Sequence, residues 1–417
     1  MTDQTFTRRD LLAGTGTAAA IGLAGCTGTT GGSGGTDGGS GGSTSSSGGT
    51  TTFRYGTVGS SDGNSMGDLD PYGAWTLADR LDRRSDGDVQ MNIIGSGQLC
   101  GEQDCVSKIM ANIVEAGTTS VGNSTKYSPE NDLWALPYLF PADNRAALSY
   151  GIFSEEAWKR FWVPFGKKYN YVPFFGYPAQ HRVLHIGQSG AAQLNGERVR
   201  VPDQIEGMDI RRTVSRIPAK AIRQWGASPV KVSWGDSIQG LKSGLIAGME
   251  TWLTNVAAYG MLPSLDQTVK NNWSLGIEMS WVNVDWLQGI DTEHRALLAE
   301  ETRKVTRDLV RNTPEIITER NGAVHTPPED SAYGKHDIKV NDLTESQLER
   351  WRDPVAYTRN RELYTRTYES AADILGSAEE AQAFADSIYD MTRSGAAPKS
   401  TTEFSVPSWW DDHLEKI

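Results

Sequence analysis

The sequence predicts an α/β fold in two lobes. Three patterns carry that expectation: strand and helix periodicities alternate from Phe53 to Asn123, they alternate again from Met208 to Glu250, and one long amphipathic stripe follows from Thr292 to Arg320. In the first unit, Phe53 to Val58 reads as a strand and Ser60 to Asn64 as part of the loop after it. Pro71 to Arg84 places Trp75, Leu77, Ala78 and Leu81 at helical spacing, and Val89 to Ile94 alternates as a strand. Glu102 to Glu115 repeats apolar Val106, Ile109, Met110 and Ile113 as a helix, and Thr118 to Val121 adds a short strand ending at Gly122-Asn123. The second unit repeats the scheme: strand Met208 to Thr213, helix Pro218 to Trp225, strand Val230 to Trp234, helix Asp236 to Lys242 and strand Leu245 to Glu250. Between the units, Val172 to Ile186 holds extended stretches long enough to pass from one lobe to the other. The later stripe carries Leu298, Val305, Leu309 and Ile316, with Pro314 expected to kink or restart it, and Ser377 with Glu380 forms a capping-box pattern ahead of a helix to about Met391.

The chain has 417 residues and a formal net charge of -12, with 38% hydrophobic residues. That is enough apolar material for one large or two medium domains, and the acidic balance disfavours nucleic acid and anionic membranes as partners. The amino-terminal segment has another composition. Arg8-Arg9 precede a weakly apolar run, Leu11 to Ala24, too short to span a bilayer, and the run ends in Leu23-Ala24-Gly25-Cys26. This is similar to a twin-arginine export signal closed by a lipobox, which makes residues 1–25 a cleaved signal and Cys26 a lipidation site. Residues 27–52 are Gly, Ser or Thr except Asp37, a flexible tether of roughly 28 Å root-mean-square length. The expected location is the outer face of the cytoplasmic membrane, reached through the lipid anchor alone.

Two further cysteines, Cys100 and Cys105, sit in one short turn with no histidine nearby, and in an exported chain a disulfide is expected of them. Of six histidines only His181 and His185 are spaced to share a site, with no acidic residue within several positions. No nucleophile elbow, Walker loop or dinucleotide fingerprint is present, so an exported hydrolase has no motif to rest on. A binding protein needs none.

A set of short motifs then narrows the class. Gly97-Gln98-Leu99, Leu136-Pro137-Tyr138-Leu139-Phe140, Gly207-Met208-Asp209-Ile210-Arg211, Gly226-Ala227-Ser228-Pro229-Val230, Gly240-Leu241-Lys242-Ser243-Gly244 and Gly248-Met249-Glu250 together resemble the solute-binding proteins of TRAP (tripartite ATP-independent periplasmic) transporters, over roughly Phe53 to Lys339. The resemblance implies a two-lobed periplasmic-binding-protein-like fold, with a ligand cleft between the lobes and a long bracing helix. It divides the body into lobe I at 53–176 with part of 256–330, and lobe II at 177–255 with part of 331–417. It implies a receptor rather than an enzyme, one that captures a small organic acid and hands it to the membrane subunits of a TRAP permease. An ABC-type receptor for sugars or peptides is the alternative that the 13 tryptophans keep open, ahead of an exported hydrolase.

By the same resemblance Arg211 is the carboxylate clamp, since a planar guanidinium offers paired donors to both carboxylate oxygens. Arg182 is the candidate second anion contact. Thr251 is expected at the ligand, with Trp252 as an apolar wall, and Trp234 joins this set. Asp236 keeps the charge of an acidic family position and equally reads as a helix N-cap. Asn123 is placed to donate into the cleft, and also opens an Asn-Ser-Thr sequon, as Asn272 opens Asn-Trp-Ser. No cofactor is implied. One branch of the family holds a metal ion with its ligand through Glu followed directly by Trp, whereas here Thr251 separates Glu250 from Trp252.

Overall fold

The computed structural model describes residues 49–406 apart from 60–68, 177–179, 277, 316 and 319–320. The export signal, Cys26, most of the tether and the Ser60 to Asn64 loop lie outside the described residues. Eleven strands are described: β1 Thr51–Gly56, β2 Val89–Ile94, β3 Ala116–Ser120, β4 Tyr171–Gly176, β5 Gln180–Gly187, β6 Asp209–Arg212, β7 Ser228–Lys231, β8 Gly248–Thr251, β9 Leu265–Gly276, β10 Glu278–Asn283 and β11 Lys339–Asn341. They form two sheets, in the orders β2-β1-β3-β10-β4 and β11-β9-β5-β8-β6-β7. Parallel pairs β1–β2, β1–β3, β6–β7 and β6–β8 are the two alternating units read from the sequence. Antiparallel β10, β5 and β9 complete each sheet with segments from elsewhere in the chain.

Two crossings between the sheets run strand to strand, from β4 to β5 and back from β9 to β10, and a third passes through helices from β10 to β11. The two crossings lie side by side, because Gln180 at the start of β5 pairs with Gly276 at the end of β9. The helix Thr292–Glu315 runs about 36 Å at 1.5 Å per residue and packs on β4 and on the 69–84 helix of the first lobe. Its buried Leu298, Val305 and Leu309 form the expected stripe, Thr306 Oγ1 accepts from the Gly176 backbone N–H at 3.4 Å, and Arg80 of the 69–84 helix pairs with Asp308 at 2.7 Å. The helix is described as far as Glu315, one residue past Pro314, and Thr318 Oγ1 donates to the Pro314 carbonyl at 2.7 Å. Ser377 caps the helix Ala378–Arg393 by accepting from the Glu380 N–H at 3.1 Å.

The helix expected over Glu102 to Glu115 is much shorter, Cys105–Met110. Asn112 turns into the left-handed region at φ 53°, which ends the helix, and Glu115 leaves to bind Arg54 instead. Cys100 and Cys105 are joined in a disulfide. It packs onto two strands that have no side chains to meet it: a Cβ at Gly117 would stand 2.7 Å from Cys105 Sγ, and one at Gly56 would collide with Cys100 Sγ. Residues 129–169, unassigned by periodicity, form short helices around an aromatic core in which Trp134 stacks on Trp162 at 5.3 Å and meets Phe161 edge-on. Trp134, Trp162, Trp225, Trp273, Trp281 and Trp351 are all buried there or beneath the second sheet, so their number reflects core packing rather than sugar recognition.

His181 and His185 occupy β5 and are both fully buried, His185 with Nδ1 2.8 Å from Thr268 Oγ1. Among the described residues no cluster of three or more His, Cys, Asp or Glu could hold a metal ion. Loss of hydration drives both imidazoles down to about 3. In the unfolded chain they titrate near 6.5, so their contribution to stability is complete above about pH 6.5 and is lost as pH falls toward the folded value. Urea unfolding should therefore show stability decreasing between pH 6.5 and 5, above the range where ordinary carboxylates titrate, with a limiting slope of about 1.4 kcal/mol per pH unit for each histidine. His185→Asn should reduce that slope by about half; a flat wild-type profile would contradict the neutral, buried state.

Candidate functional site

The site begins with three neighbouring strands of the second sheet. β5, β8 and β6 lie adjacent, and their register sets Leu184 opposite Glu250, Val183 opposite Thr251 and Arg211 opposite Met249. Alternation sets Arg182 and Glu250 on one face and Arg211, opposite Met249, on the other, yet at the carboxyl ends of β8 and β6 Arg211 still feels the charges of Glu250 and Arg182. Glu250 is completely buried. Its Oε2 accepts a short hydrogen bond from Arg182 Nε, Arg182 Nη2 reaches the Glu250 carbonyl at 3.2 Å, and the Thr213 N–H donates to Oε1 at 3.2 Å. One carboxylate thus ties together β5, β8 and the end of β6.

Arg211 has no such partner. It is 2% exposed, its Nε donates to the Val232 carbonyl at 3.1 Å, and its guanidinium lies 5.4 Å from the Trp234 ring centre. No carboxylate stands within ion-pair distance of it among the described residues. Burial pulls its pKa down to about 10 against the opposing attraction of Glu250. Arg182 packs over Trp252 in the same manner at 5.6 Å. Trp252 can lie there because Gly276, at the second crossing, has no Cβ; one built on it would collide with the indole.

The facing wall comes from the first sheet. Ser120, ending β3, caps the turn Val121–Ser124 by accepting from the Asn123 N–H at 3.2 Å, which fixes Asn123 beside Glu102. Glu102 Oε1 accepts from Asn123 Nδ2 at 2.9 Å and from the Ser120 N–H at 2.8 Å. Between the walls is a narrow cavity of about 30 Å3, lined also by Val58, Asn255, Tyr259 and Glu278. Its guanidinium of Arg211, without a carboxylate partner among the described residues, suits an anion.

The sequence profile of bacterial extracellular solute-binding proteins, family 7, matches residues 64–364. The chain belongs to this family. The family-7 chain is 24% identical over 240 residues to the ectoine-binding periplasmic protein TeaA of Halomonas elongata, covering 56% of the chain and 65% of that relative. It is 20% identical over 258 residues to the C4-dicarboxylate-binding periplasmic protein DctP of Vibrio cholerae, covering 60% and 74%. In both cases part of the relative lies beyond the matched span. Among solved structures it is similar to a TRAP periplasmic solute-binding protein of Pseudomonas aeruginosa with bound L-malate, at TM-score 0.64 and 16% identity over 76% of the chain and 99% of that structure. A Shewanella oneidensis counterpart with bound succinate gives TM-score 0.63 and 13% identity over 81% and 99%. These likenesses establish the two-lobed fold expected from the motifs.

Within the family-7 cavity lie six of the seven residues expected at the ligand: Arg211, Arg182, Thr251, Trp252, Asn123 and Trp234. Asp236 is not among the lining residues. β7 stops at Lys231, three residues before the expected end of its strand, and the turn that follows leaves Asp236 exposed, accepting from Ser233 Oγ at 2.5 Å. It occupies the N-cap position of the Ser237–Ser243 helix without a side-chain capping bond. Arg182 lines the cavity with its Nε already committed to Glu250. Glu102, Thr213, Asn255, Tyr259 and Glu278 were missed. For Glu102 a signal existed, an acidic residue directly after Gly101 in the motif that begins at Gly97, but it was assigned to a helix face.

Glu250→Gln should cost about 3–5 kcal/mol of stability, because it leaves the Arg182 charge buried without its partner. Urea unfolding of the ligand-free protein measures this. A loss below about 1 kcal/mol would show that Arg182 reaches solvent when Glu250 is neutralised.

Proposed function

We propose that this protein is an extracytoplasmic receptor that captures a small organic acid and delivers it to the membrane subunits of a TRAP-type permease. The observation that carries the reading is Arg211, a buried guanidinium without an anionic partner among the described residues, at the seam of two lobes. A ligand carboxylate would accept paired hydrogen bonds from it and offset the cost of its burial. L-malate and succinate in the similar solved structures are ligands of that chemical kind. The sugar-receptor reading is less favoured, because Trp234 and Trp252 each already have a guanidinium packed against the ring.

Capture is coupled to closure in this reading. The lobes are joined by the adjacent β4–β5 and β9–β10 crossings, so they can move as rigid bodies about a short hinge. A ligand that touches Arg211 on one wall and Asn123 on the other makes both contacts only in the closed form and therefore favours it. The permease then reads the closed shape, and binding rather than bond chemistry is the functional event. Among the described residues no helix is long and apolar enough to cross a membrane. Cys26 supplies attachment in this proposal, with residues 27–52 as the tether.

Arg211→Ala should weaken carboxylate binding by about 2–4 kcal/mol, and Arg211→Lys nearly as much, since an ammonium cannot reproduce the two-donor fork. Calorimetry against a panel of organic acids tests this, and unchanged affinity in both variants would remove Arg211 from the site. Cys26→Ala should release the exported protein from the membrane or leave it uncut. A variant still processed and retained after a carbonate wash would exclude the lipid anchor.

A further inference from the structure

The helix Arg216–Gln224 carries a charge pattern at odds with the rest of an acidic chain. Ile217, Ala221 and Ile222 are buried, while Arg216, Lys220 and Arg223, at spacings of 4 and 3, share the opposite face. Arg212 joins them from the end of β6, and Arg366 from the helix Thr365–Leu375. Arg216, Arg223 and Arg366 are exposed, and Arg212 and Lys220 are half-buried. Among the described residues none of the five makes an ion pair. Arg212 Nη1 donates to the Thr213 and Ser215 carbonyls at 2.8 and 3.2 Å, and Lys220 Nζ to the Leu363 carbonyl at 2.5 Å. Glu362 and Glu369, one turn to either side of Arg366, are exposed and make no ion pair with it among the described residues. Burial and then the charges of Arg216, Arg223 and Arg366 hold the Lys220 ammonium below its usual range, and burial and then Arg223 do the same to Arg212. Like charges crowded on one helix face destabilise it, so a counter-charge from outside the chain would relieve a repulsion that the fold leaves in place.

The patch lies where the lobes meet. The helix Thr365–Leu375 packs on residues 129–135 and 163–169 of the first lobe, whereas Arg216–Gln224 follows β6 of the second. Between them, Asp132 of the first lobe accepts from Ser215 Oγ at 2.6 Å, and both residues are buried. Asp132 attracts Arg212 and Lys220 from beneath the patch without covering it. A Cβ on Gly122, in the turn after β3, would stand 3.8 Å from Thr213 Cβ, and Thr213 lines the cavity. The cationic face thus runs on from the cavity rim, and the first lobe contributes Arg366 to it. Opening the lobes would draw Arg366 away from Arg216, Lys220 and Arg223 and dilute the local charge.

From this placement we propose that the cationic face docks an acidic protein surface and that lobe closure completes it. Under the receptor reading above, on which the partner's identity rests, that surface belongs to the permease membrane subunits, which must meet the receptor beside its cavity. Five cations without carboxylate partners steer an acidic partner into register and reject a basic one. A broad anionic bilayer is repelled by the net charge of -12, whereas a contoured acidic surface meets the patch alone. Closed and open receptors then differ in charge density as well as in shape, and the partner reads both.

Fluorescence anisotropy with a labelled deca-glutamate peptide tests this on the full chain carrying Cys26→Ala. Gly122→Cys with Thr213→Cys places two thiols at a Cβ separation that a disulfide spans, which locks the lobes closed. The locked form should bind the peptide at least fivefold tighter than either single variant, with affinity falling steeply as salt is raised. Arg216→Glu with Arg223→Glu should weaken binding at least tenfold. Arg366→Glu should remove the advantage of the locked form, and should weaken binding at least threefold in the unlocked chain, a measurement that stands if the cysteine pair fails to oxidise. Equal affinity of locked and single variants, or no effect of the charge reversals, would overturn the proposal. So would tighter binding to phosphatidylglycerol vesicles than to the peptide, which would make lipid the partner. No peptide binding, with succinate or L-malate bound and that binding lost in Arg211→Ala, would overturn the docking face and leave the receptor reading intact. Peptide binding as expected, with no organic acid bound, would overturn the receptor reading and with it the permease as partner.

Discussion

The buried carboxylate of Glu250 is the interaction on which the site depends. An unpaired charge between packed strands would be driven to its neutral form or would unfold its surroundings, so Arg182 can sit in β5 only because Glu250 meets it from β8. The same carboxylate takes the Thr213 N–H just beyond β6. Three strands from separate parts of the chain are thereby held in one register at their functional ends. With Arg182 satisfied, Arg211 remains as the lining cation without a carboxylate partner among the described residues.

Division of labour between the lobes follows from the same charge logic. The second sheet carries the cationic side, on strands braced by the ion pair and by the indoles of Trp234 and Trp252. The first sheet carries the acidic and amide side, on the turn after β3 and in the segment before the Cys105–Met110 helix. Neither wall is complete alone. The disulfide, seated against Gly56 and Gly117, fixes the segment from which Glu102 projects, so a covalent staple far from the cationic wall still positions a group that faces it.

The crossings give this arrangement mechanical meaning. Strands β4 and β10 pair in one sheet, β5 and β9 in the other, and each is continued by its partner across the seam. A hinge made of two paired strands allows rotation but resists shear, since slippage by one residue would invert every side chain in β5. The Thr292–Glu315 helix supports the seam from the first lobe through Gly176. Trp252 leans on the second crossing at Gly276, so the cavity wall and the crossing share one indole.

The sequence by itself determined the two alternating units, the long apolar stripe, the cysteine pair and the arginine at the end of its strand. These are local properties: periodicity of 2 or 3.6 residues, a short turn between two thiols, a motif of five residues around Arg211. Apolar spacing continues to Ile113 although Asn112 has left the Cys105–Met110 helix, so the pattern overstates that helix, and of the two readings of Asp236, family position or N-cap, the turn after Lys231 leaves it exposed at the N-cap. Only the tertiary structure decided which charges are paired. Arg182 and Glu250 are 68 residues apart, and Glu102 faces Arg211 across 109 positions of sequence. No spacing rule links such residues, because the register of strands joined by long connections is set by the packing of both sheets at once, and a buried charge takes its character from whatever that packing places beside it.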